Sequence, residues 1–236
     1  MTGRLGHPRV HYRVTDSTNA RARELALAGA PDGTVVTAAE QSAGRGRQGR
    51  TWSAPPGKAL LVSVLVRDLT RRDALLPLGV PVAVAEACDA FAAARCGIKW
   101  PNDIWIDGRK LSGILLEGRP QEGWAVIGIG LNVGTLRDEF PEELRATATS
   151  LAIESGVDPG PEAVLEAVLA ALERRLADAA KTILAAWRER DALLGSHIRW
   201  NGGEGTAAGI DEAGSLLVET DGRRVALDAG EVHLLR

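Results

Sequence analysis

Residues 98–117 constrain the fold more than any other stretch, because they carry a strong β-hairpin signal. Asp107-Gly108 lies between two apolar runs. A two-residue type I′ turn needs positive φ at both central positions, and Asp-Gly is among the pairs that adopt it most readily. With these two residues as the loop, three cross-strand pairs are predicted: Ile106 with Arg109, Trp105 with Lys110, and Asp103 with Ser112.

The hairpin pairing predicts a charged cluster on one face of the sheet. Side chains alternate between faces along a strand. One face is therefore expected to carry Lys99, Asp103, Trp105, Lys110 and Ser112. On an arbitrary hairpin such a cluster is most often a solvent-facing salt bridge. Here the apolar runs 114–116 and 124–127 are typical of buried strands, which makes the hairpin central and favours a functional site.

Length and composition limit the class of protein. A chain of 236 residues can form one large domain and one small one. With 28 basic and 31 acidic residues, its net charge of −3 argues against general nucleic-acid affinity. Cys88 and Cys96 lack metal-ligand spacing and indicate reduced thiols. Without a transmembrane-length apolar run or an export signal, we expect a cytoplasmic protein with no membrane contact.

A run of N-cap formers marks the first candidate binding segment. Asp16-Ser17-Thr18-Asn19 precedes a short helical pattern that Gly29 closes. An ordinary helix cap explains this run by itself. Hydroxyl and amide groups at a helix N-terminus can also form a polar socket for a small ligand.

The second segment, residues 44–50, has the sequence Gly-Arg-Gly-Arg-Gln-Gly-Arg and is called the Gly-Arg box below. It follows a predicted strand at 34–40. Alternating glycine and arginine cannot form a core or a helix interior, so we expect a flexible, self-repelling loop that orders around an anion. A solvated loop and an RNA-binding Gly-Arg segment are the alternatives, although RNA-binding segments of this kind are usually long repeats. Trp52 follows the box and could stack on a base.

The remaining pattern predicts a mixed chain. Further strands are expected at 59–66 and 124–133, and Gly128 and Gly130 within the second indicate close backbone approach. Residues 1–13 are expected to be irregular. Helices are predicted at 73–95, 142–153 and 161–194. After Gly195, short strands at 197–200, 205–210, 215–220, 225–227 and 231–235 predict a small barrel.

Four segments in this order resemble the biotin protein ligases along nearly the whole chain. They are Asp16-Ser17-Thr18-Asn19, the Gly-Arg box, Lys99-Trp100-Pro101-Asn102-Asp103, and Gly108-Arg109-Lys110-Leu111-Ser112-Gly113-Ile114. Gly128-Ile129-Gly130-Leu131-Asn132 follows as the next strand of the family pattern. Each segment alone is weak evidence. Their common order and spacing are specific.

The resemblance implies an α/β (α+β) fold. A mixed-sheet catalytic domain of the biotin/lipoate ligase type would span residues 1–194, and an SH3-like β-barrel would span 195–236. It also implies a two-step reaction. Biotin and ATP form biotinyl-5′-adenylate and pyrophosphate, and the biotinyl group then passes to a lysine of a biotin carboxyl carrier domain.

The resemblance also assigns roles to individual residues. Those implied to bind biotin are Ser17, Thr18, Asn19, Gln41, Arg45, Gly46, Arg47 and Lys110. Those implied to bind ATP are Trp52, Lys99, Asn102 and Asn132. Arg47, Lys110 and Asp103 are the implied catalytic residues, with Asp103 near phosphate and Mg²⁺. The chemistry of the first step supports these roles. Bringing the biotin carboxylate onto the α-phosphate of ATP, a polyanion, requires positioned cations.

One further expectation and two alternative interpretations complete the sequence analysis. About fifteen residues precede the first helix, too few for a helix-turn-helix, so no specific DNA binding is expected. A lipoate-type ligase is the nearest alternative, but the Gly-Arg box and the C-terminal barrel favour biotin. A nucleic-acid-binding module is a more distant one, and the net charge counts against it.

Overall fold

Two β-sheets organise the chain, which a computed structural model describes at residues 5–69 and 76–235. The first sheet has seven strands. Its order is β1 (Arg9–Thr15), β2 (Val35–Gln41), β3 (Ala59–Arg67), β7 (Trp124–Asn132), β6 (Arg109–Arg119), β5 (Asp103–Ile106) and β4 (Gly97–Lys99). β1 and β2 are parallel and the other pairs are antiparallel, so the sheet is mixed.

Helices cover both faces of this sheet. They are α1 (Thr18–Leu27), α2 (Leu76–Asp89), α3 (Leu151–Ser155), α4 (Pro161–Leu176) and α5 (Ala180–Arg188). α1 packs its buried alanines Ala22 and Ala26 against one face, in a small cluster with Val36, Leu65 and Val126. The main core lies on the opposite face, where α2, α4 and α5 contribute apolar side chains. The α1 cluster is smaller because polar residues take up the rest of that face.

The C-terminal sheet is antiparallel, in the order β11 (Arg223–Leu227), β10 (Leu216–Thr220), β9 (Gly203–Ile210), β8 (His197–Trp200) and β12 (Val232–Leu234). The five strands predicted after Gly195 are confirmed to within two residues at each end. Trp100 ties this sheet to the larger one by donating from Nε1 to the Gly214 carbonyl at 3.0 Å. In the part of the chain that the structure describes, no helix is long and apolar enough to cross a membrane.

One predicted irregular segment is a strand. Residues 1–13 were expected to lack regular structure, but Arg9–Thr15 forms β1 at the sheet edge. Residues 1–4 lie outside the described residues. The strand alternates polar with apolar residues, as in His11-Tyr12-Arg13-Val14, which is the pattern of an edge strand. α1 then provides the crossover that a parallel β1–β2 pair requires.

The helix predictions were too long. Residues 142–153 contain only a short helical turn, Glu142–Leu144, and α3. The predicted helix 161–194 is divided at residues 177–179 into α4 and α5. The predicted helix 73–95 ends at Asp89, whose carboxylate accepts from the Cys96 amide at 2.8 Å and pairs with Arg190 at 2.7 Å. Its first three positions, 73–75, lie outside the described residues.

Candidate active site

A cavity of about 280 Å³ lies on the α1 face of the large sheet. The predicted site residues that line it are Ser17, Thr18, Asn19, Gln41, Arg45, Gly46, Arg47, Trp52, Asn102, Lys110 and Asn132. Lys99 and Asp103 are not among its lining residues. A wider groove of about 1110 Å³ adjoins the cavity across the Gly-Arg box, between the start of α2 and the C-terminal sheet.

The floor of the cavity is an uncharged hydrogen-bonded cluster at the start of α1. Gln41 Oε1 accepts from the Thr18 amide at 2.7 Å and from its hydroxyl at 3.0 Å. Ser63, on β3, contacts Thr18 Oγ1 at 2.8 Å and donates to Asn19 Oδ1 at 2.6 Å. Ser63 was not predicted, since a single serine within an apolar strand carries no sequence signal. The cluster holds the side chains of the Asp16–Asn19 run in one arrangement.

The close backbone approach predicted at Gly128 and Gly130 is confirmed. A Cβ atom at Gly130 would lie 2.5 Å from Trp52 Cε2, so the indole of Trp52 packs directly on this backbone. At Gly128 a Cβ would lie 2.1 Å from Asn19 Oδ1. The absent side chains therefore create the space that the Trp52 ring and the Asn19 amide occupy.

The predicted hairpin turn is confirmed, but the register changes two residues beyond it. Asp107 and Gly108 have φ values of 47° and 75°, and Trp105 pairs with Lys110. Leu111 is then an extra residue in β6, so Asp103 pairs with Gly113. The predicted Asp103–Ser112 pair is wrong. A β-bulge of this kind moves later side chains to the other face, and buried Ser112 instead donates to the Gly130 carbonyl at 2.8 Å.

Lys110 is held by both its side chain and its backbone. Its Nζ lies 2.8 Å from Asp103 Oδ1 and 5.9 Å from the centre of the Trp52 ring. Its backbone amide donates to the Thr147 carbonyl at 2.7 Å, and its carbonyl accepts from the Thr149 amide at 2.9 Å. The bulge leaves the Lys110 backbone available for this second partner. Residues 144–149, predicted as helix, are thereby drawn over the cavity.

Residues 140–149 contribute four cavity-lining residues that were not predicted: Phe140, Leu144, Thr147 and Ala148. Nothing in the local sequence pattern distinguishes them from an amphipathic helix. Asn132, at the end of β7, donates from Nδ2 to the Thr149 carbonyl at 2.9 Å and helps to hold the segment in place. The segment closes one side of the cavity with apolar groups.

Each arginine of the Gly-Arg box has a partner. Arg47 donates to Asn102 Oδ1 at 3.2 Å, Arg45 lies 3.5 Å from Glu117 Oε1, and Arg50 lies 2.6 Å from Oε1 of Glu231, which directly precedes β12. Burial lowers the pKa of Arg47 from its ordinary value, and the nearby Asp103 carboxylate opposes that shift. These contacts offset the mutual repulsion expected from the sequence.

Lys99 lies outside the cavity lining, near Asp103 and Lys110. Its Nζ is 5.0 Å from the centre of the Trp105 ring, and burial lowers the pKa of this amine. Among the described residues, no cluster of three or more His, Cys, Asp or Glu side chains could hold a metal ion. A Mg²⁺ ion that is bound chiefly by phosphates needs only one or two carboxylates from the protein.

Comparison with known proteins places this site in a family. The model of the biotin/lipoate A/B protein ligase family matches residues 11–133, and the model of the biotin protein ligase C-terminal domain matches residues 193–235. The chain belongs to the biotin/lipoate A/B protein ligase family. The first match includes the floor, the Gly-Arg box, the hairpin and the two cavity glycines. The second covers the C-terminal sheet.

Several relatives of this chain are named as biotin ligases. It is 36% identical to the biotin--[acetyl-CoA-carboxylase] ligase of Mycobacterium tuberculosis, covering 94% of this chain and 87% of the relative. It is 37% identical to the bifunctional ligase/repressor BirA of Bacillus spizizenii, covering 92% and 70%. The structure of a biotin protein ligase from Aquifex aeolicus in complex with biotin and ATP is similar, with TM-score 0.85 and 29% identity over 97% of this chain and 98% of that one. The resemblance inferred from the four segments is confirmed.

Proposed function

We propose that the protein is an ATP-dependent biotin protein ligase. Its cavity joins an uncharged hydrogen-bonding floor to a cationic wall, and this single observation carries the proposal. In the first step a biotin carboxylate oxygen attacks the α-phosphorus of ATP, and the bond to the leaving pyrophosphate breaks. In the second step a carrier lysine amine attacks the acyl carbon of biotinyl-5′-adenylate, and AMP leaves.

The floor is suited to the ureido ring of biotin, which presents both N–H donors and a carbonyl acceptor. Among the described residues, neither the Ser17 hydroxyl nor the Gln41 side-chain amide nitrogen has a hydrogen-bonding partner. Ser17 is only 3% exposed. A hydroxyl and an amide N–H that are already ordered, and not engaged by the protein, can bind a polar ring without losing existing contacts.

The cationic wall is suited to the reacting groups. Arg45, Arg47 and Lys110 line the same cavity as the floor. A biotin bound with its ring on the floor would direct its carboxylate toward them. These charges would reduce the repulsion between the carboxylate and the α-phosphate and stabilise the charge that develops in the transition state. Gly46, between the two arginines, lets the backbone approach the ligand.

The nucleotide would occupy the part of the cavity next to Trp52. The Trp52 ring, Asn102 and Asn132 line that part and supply stacking and amide groups for adenine and ribose. Lys99 would act on the bound phosphates through the electrostatic field of its charge, without touching them. We infer that Asp103, the carboxylate beside Lys110, would hold Mg²⁺ together with the phosphates. Bound there, the ion would neutralise charge on the leaving pyrophosphate.

The acceptor is proposed to be a biotin carboxyl carrier domain, because the adjoining groove leads to the cavity across the Gly-Arg box. The catalytic domain would be residues 1–194 and the SH3-like domain residues 195–236. The reduced, buried Cys88 and Cys96 are consistent with a cytoplasmic location. No specific DNA partner is part of the proposal.

Biotin-dependent exchange of pyrophosphate into ATP tests the function. We expect labelled pyrophosphate to enter ATP when biotin is present, since adenylate formation is reversible. Lipoate and octanoate are the matched alternative acids. Exchange with either of these, and none with biotin, would contradict the assignment to biotin.

The Gly-Arg box should become more resistant to protease when ligand binds. Arg45 and Arg50 are about half exposed, with side-chain exposures of 49% and 53%, so their ion pairs with Glu117 and Glu231 are weak. A bound adenylate adds a stronger anion for the loop to close on. We expect biotin with ATP to slow trypsin cleavage within residues 44–50, as read by mass spectrometry. Equal cleavage rates with and without ligand would argue against loop closure.

A further inference from the structure

Glu117 lies on β6 beside Asn19 of the cavity floor and lines the adjoining groove, and its two carboxylate oxygens have different partners. Oε2 accepts a hydrogen bond from Asn19 Nδ2 at 2.8 Å. Oε1 lies 3.1 Å from Arg23 Nη1 and 3.5 Å from Arg45 Nη1. The side chain is 25% exposed, and the two guanidinium groups offset the cost of burying its charge.

The Glu117 carboxylate is the nearer of two acceptors that determine which way the Asn19 amide points; the other is the Leu115 carbonyl, 3.5 Å from Asn19 Nδ2. An ionised carboxylate can only accept hydrogen bonds, so the side of Asn19 that faces Glu117 must be the NH₂ group. Asn19 Oδ1 then faces Ser63, from which it accepts at 2.6 Å. The backbone of Gly128 fills the space behind the amide. One lone pair of Oδ1 remains for a donor in the cavity.

We propose that Glu117 is a positioning residue, which acts through Asn19 to determine recognition of the ring end of biotin. The inference rests on the proposed function. With the amide held in this orientation, Oδ1 presents an acceptor to a ring N–H. In the flipped orientation the NH₂ group would face that N–H, two donors would meet, and the ring would bind poorly. Glu117 therefore contributes to specificity without touching the ligand.

Calorimetric titration of three variants tests the role of Glu117. The ligands are biotin and biotinol, its alcohol analogue, which keeps the ring but lacks the carboxylate. Glu117→Ala removes the acceptor for Asn19, so we expect both ligands to bind about tenfold more weakly. Glu117→Gln offers one oxygen to two sets of donors; with that oxygen toward Arg23 and Arg45, its NH₂ group faces Asn19, and we expect binding of both ligands to weaken about as much as in the alanine variant. The control, Glu162→Gln, breaks an ion pair with Arg9 that joins β1 to α4 away from the cavity, and it should bind both ligands like the parent.

A reversed pair supplies a second measurement that does not depend on the alanine variant folding. Asn19→Asp alone would face two carboxylates toward each other and should abolish detectable binding. Adding Glu117→Gln supplies an NH₂ group that can donate to Asp at position 19, while the other oxygen still accepts from Ser63. We expect the double variant to bind biotin at least tenfold better than the single one. The KM for ATP should be unchanged in Glu117→Gln.

Three outcomes would overturn the inference. The first is binding by Glu117→Ala that equals binding by Glu162→Gln. The second is a loss for biotin without a loss for biotinol, which would assign the effect to Arg45 and the carboxylate rather than to Asn19. The third is no rescue in the double variant. A parental chain that binds neither ligand would overturn the proposed function itself, and this inference with it.

Discussion

Lys110→Gln should lower the rate of adenylate formation by about 10²–10³ while the protein remains folded. The ammonium group lies on the cavity wall, 2.8 Å from Asp103 Oδ1 and 5.9 Å from the centre of the Trp52 ring, and biotin and ATP bound in the cavity would exclude water from it. A charged contact that acts mainly on the transition state in such a place contributes about 2–4 kcal/mol. Glutamine keeps much of the length and can still donate to Asp103, so packing should be preserved.

Single-turnover measurements of the two steps distinguish this role from a structural one. Transfer from preformed biotinyl-5′-adenylate should fall less than adenylate formation, because the pyrophosphate charge has already left. Lys181→Gln, at an exposed position on α5, is the matched control and should retain the parental rates. Thermal unfolding should be similar in both variants. Adenylate formation at the parental rate in Lys110→Gln would reduce Lys110 to a salt-bridge partner of the hairpin.

Gly128→Ala should weaken biotin binding by about 10²-fold or more. The new methyl carbon would lie 2.1 Å from Asn19 Oδ1, and no real contact is that close. Asn19 would have to leave its place between Ser63 and Glu117, and both hydrogen bonds would be broken. Over-packing of this kind costs about 1–3 kcal/mol of folding stability, so a moderate fall in Tm is also expected.

Gly118→Ala is the matched control for this substitution. Gly118 lies on the neighbouring strand β6 and pairs with Ala125, and a Cβ there would be 3.8 Å from the nearest atoms. It tests whether any alanine in this sheet is harmful. We expect parental affinity for biotin by calorimetry. If Gly128→Ala also binds normally, then the cavity floor is not the biotin site.

The sequence predicted the parts of the site that depend on local chemistry. Asp107-Gly108 adopts the positive φ values that the turn requires, and Lys110 lies opposite Trp105 as expected. The two cavity glycines were identified because a glycine within an apolar strand usually marks a close approach. These inferences need only one strand and its nearest partner, so a sequence pattern is sufficient for them.

The parts that were missed depend on tertiary contacts. Residues 142–153 have a plausible helical pattern, but the Lys110 backbone pairs with residues 147–149 through an isolated parallel bridge. Ser63 and Glu117 belong to the site only because β3 and β6 flank β7 and meet α1 there. The edge strand β1 was overlooked because its apolar residues are few and its outer side has no partner strand. Long-range pairing overrode local propensity in each case.

The bulge at Leu111 makes the length of β6 as important to the site as its side chains. Leu111 is an extra residue in β6, so the pairing of β6 with β5 shifts by one position beyond it. This shift puts both Lys110 and Gly113 on the cavity face. A family sharing this hairpin could exchange many amino acids along it over evolutionary time. It could not gain or lose one residue between Gly108 and Gly113, because every later side chain on the strand would exchange core for cavity. Insertions and deletions should therefore be purged there even where substitutions are tolerated.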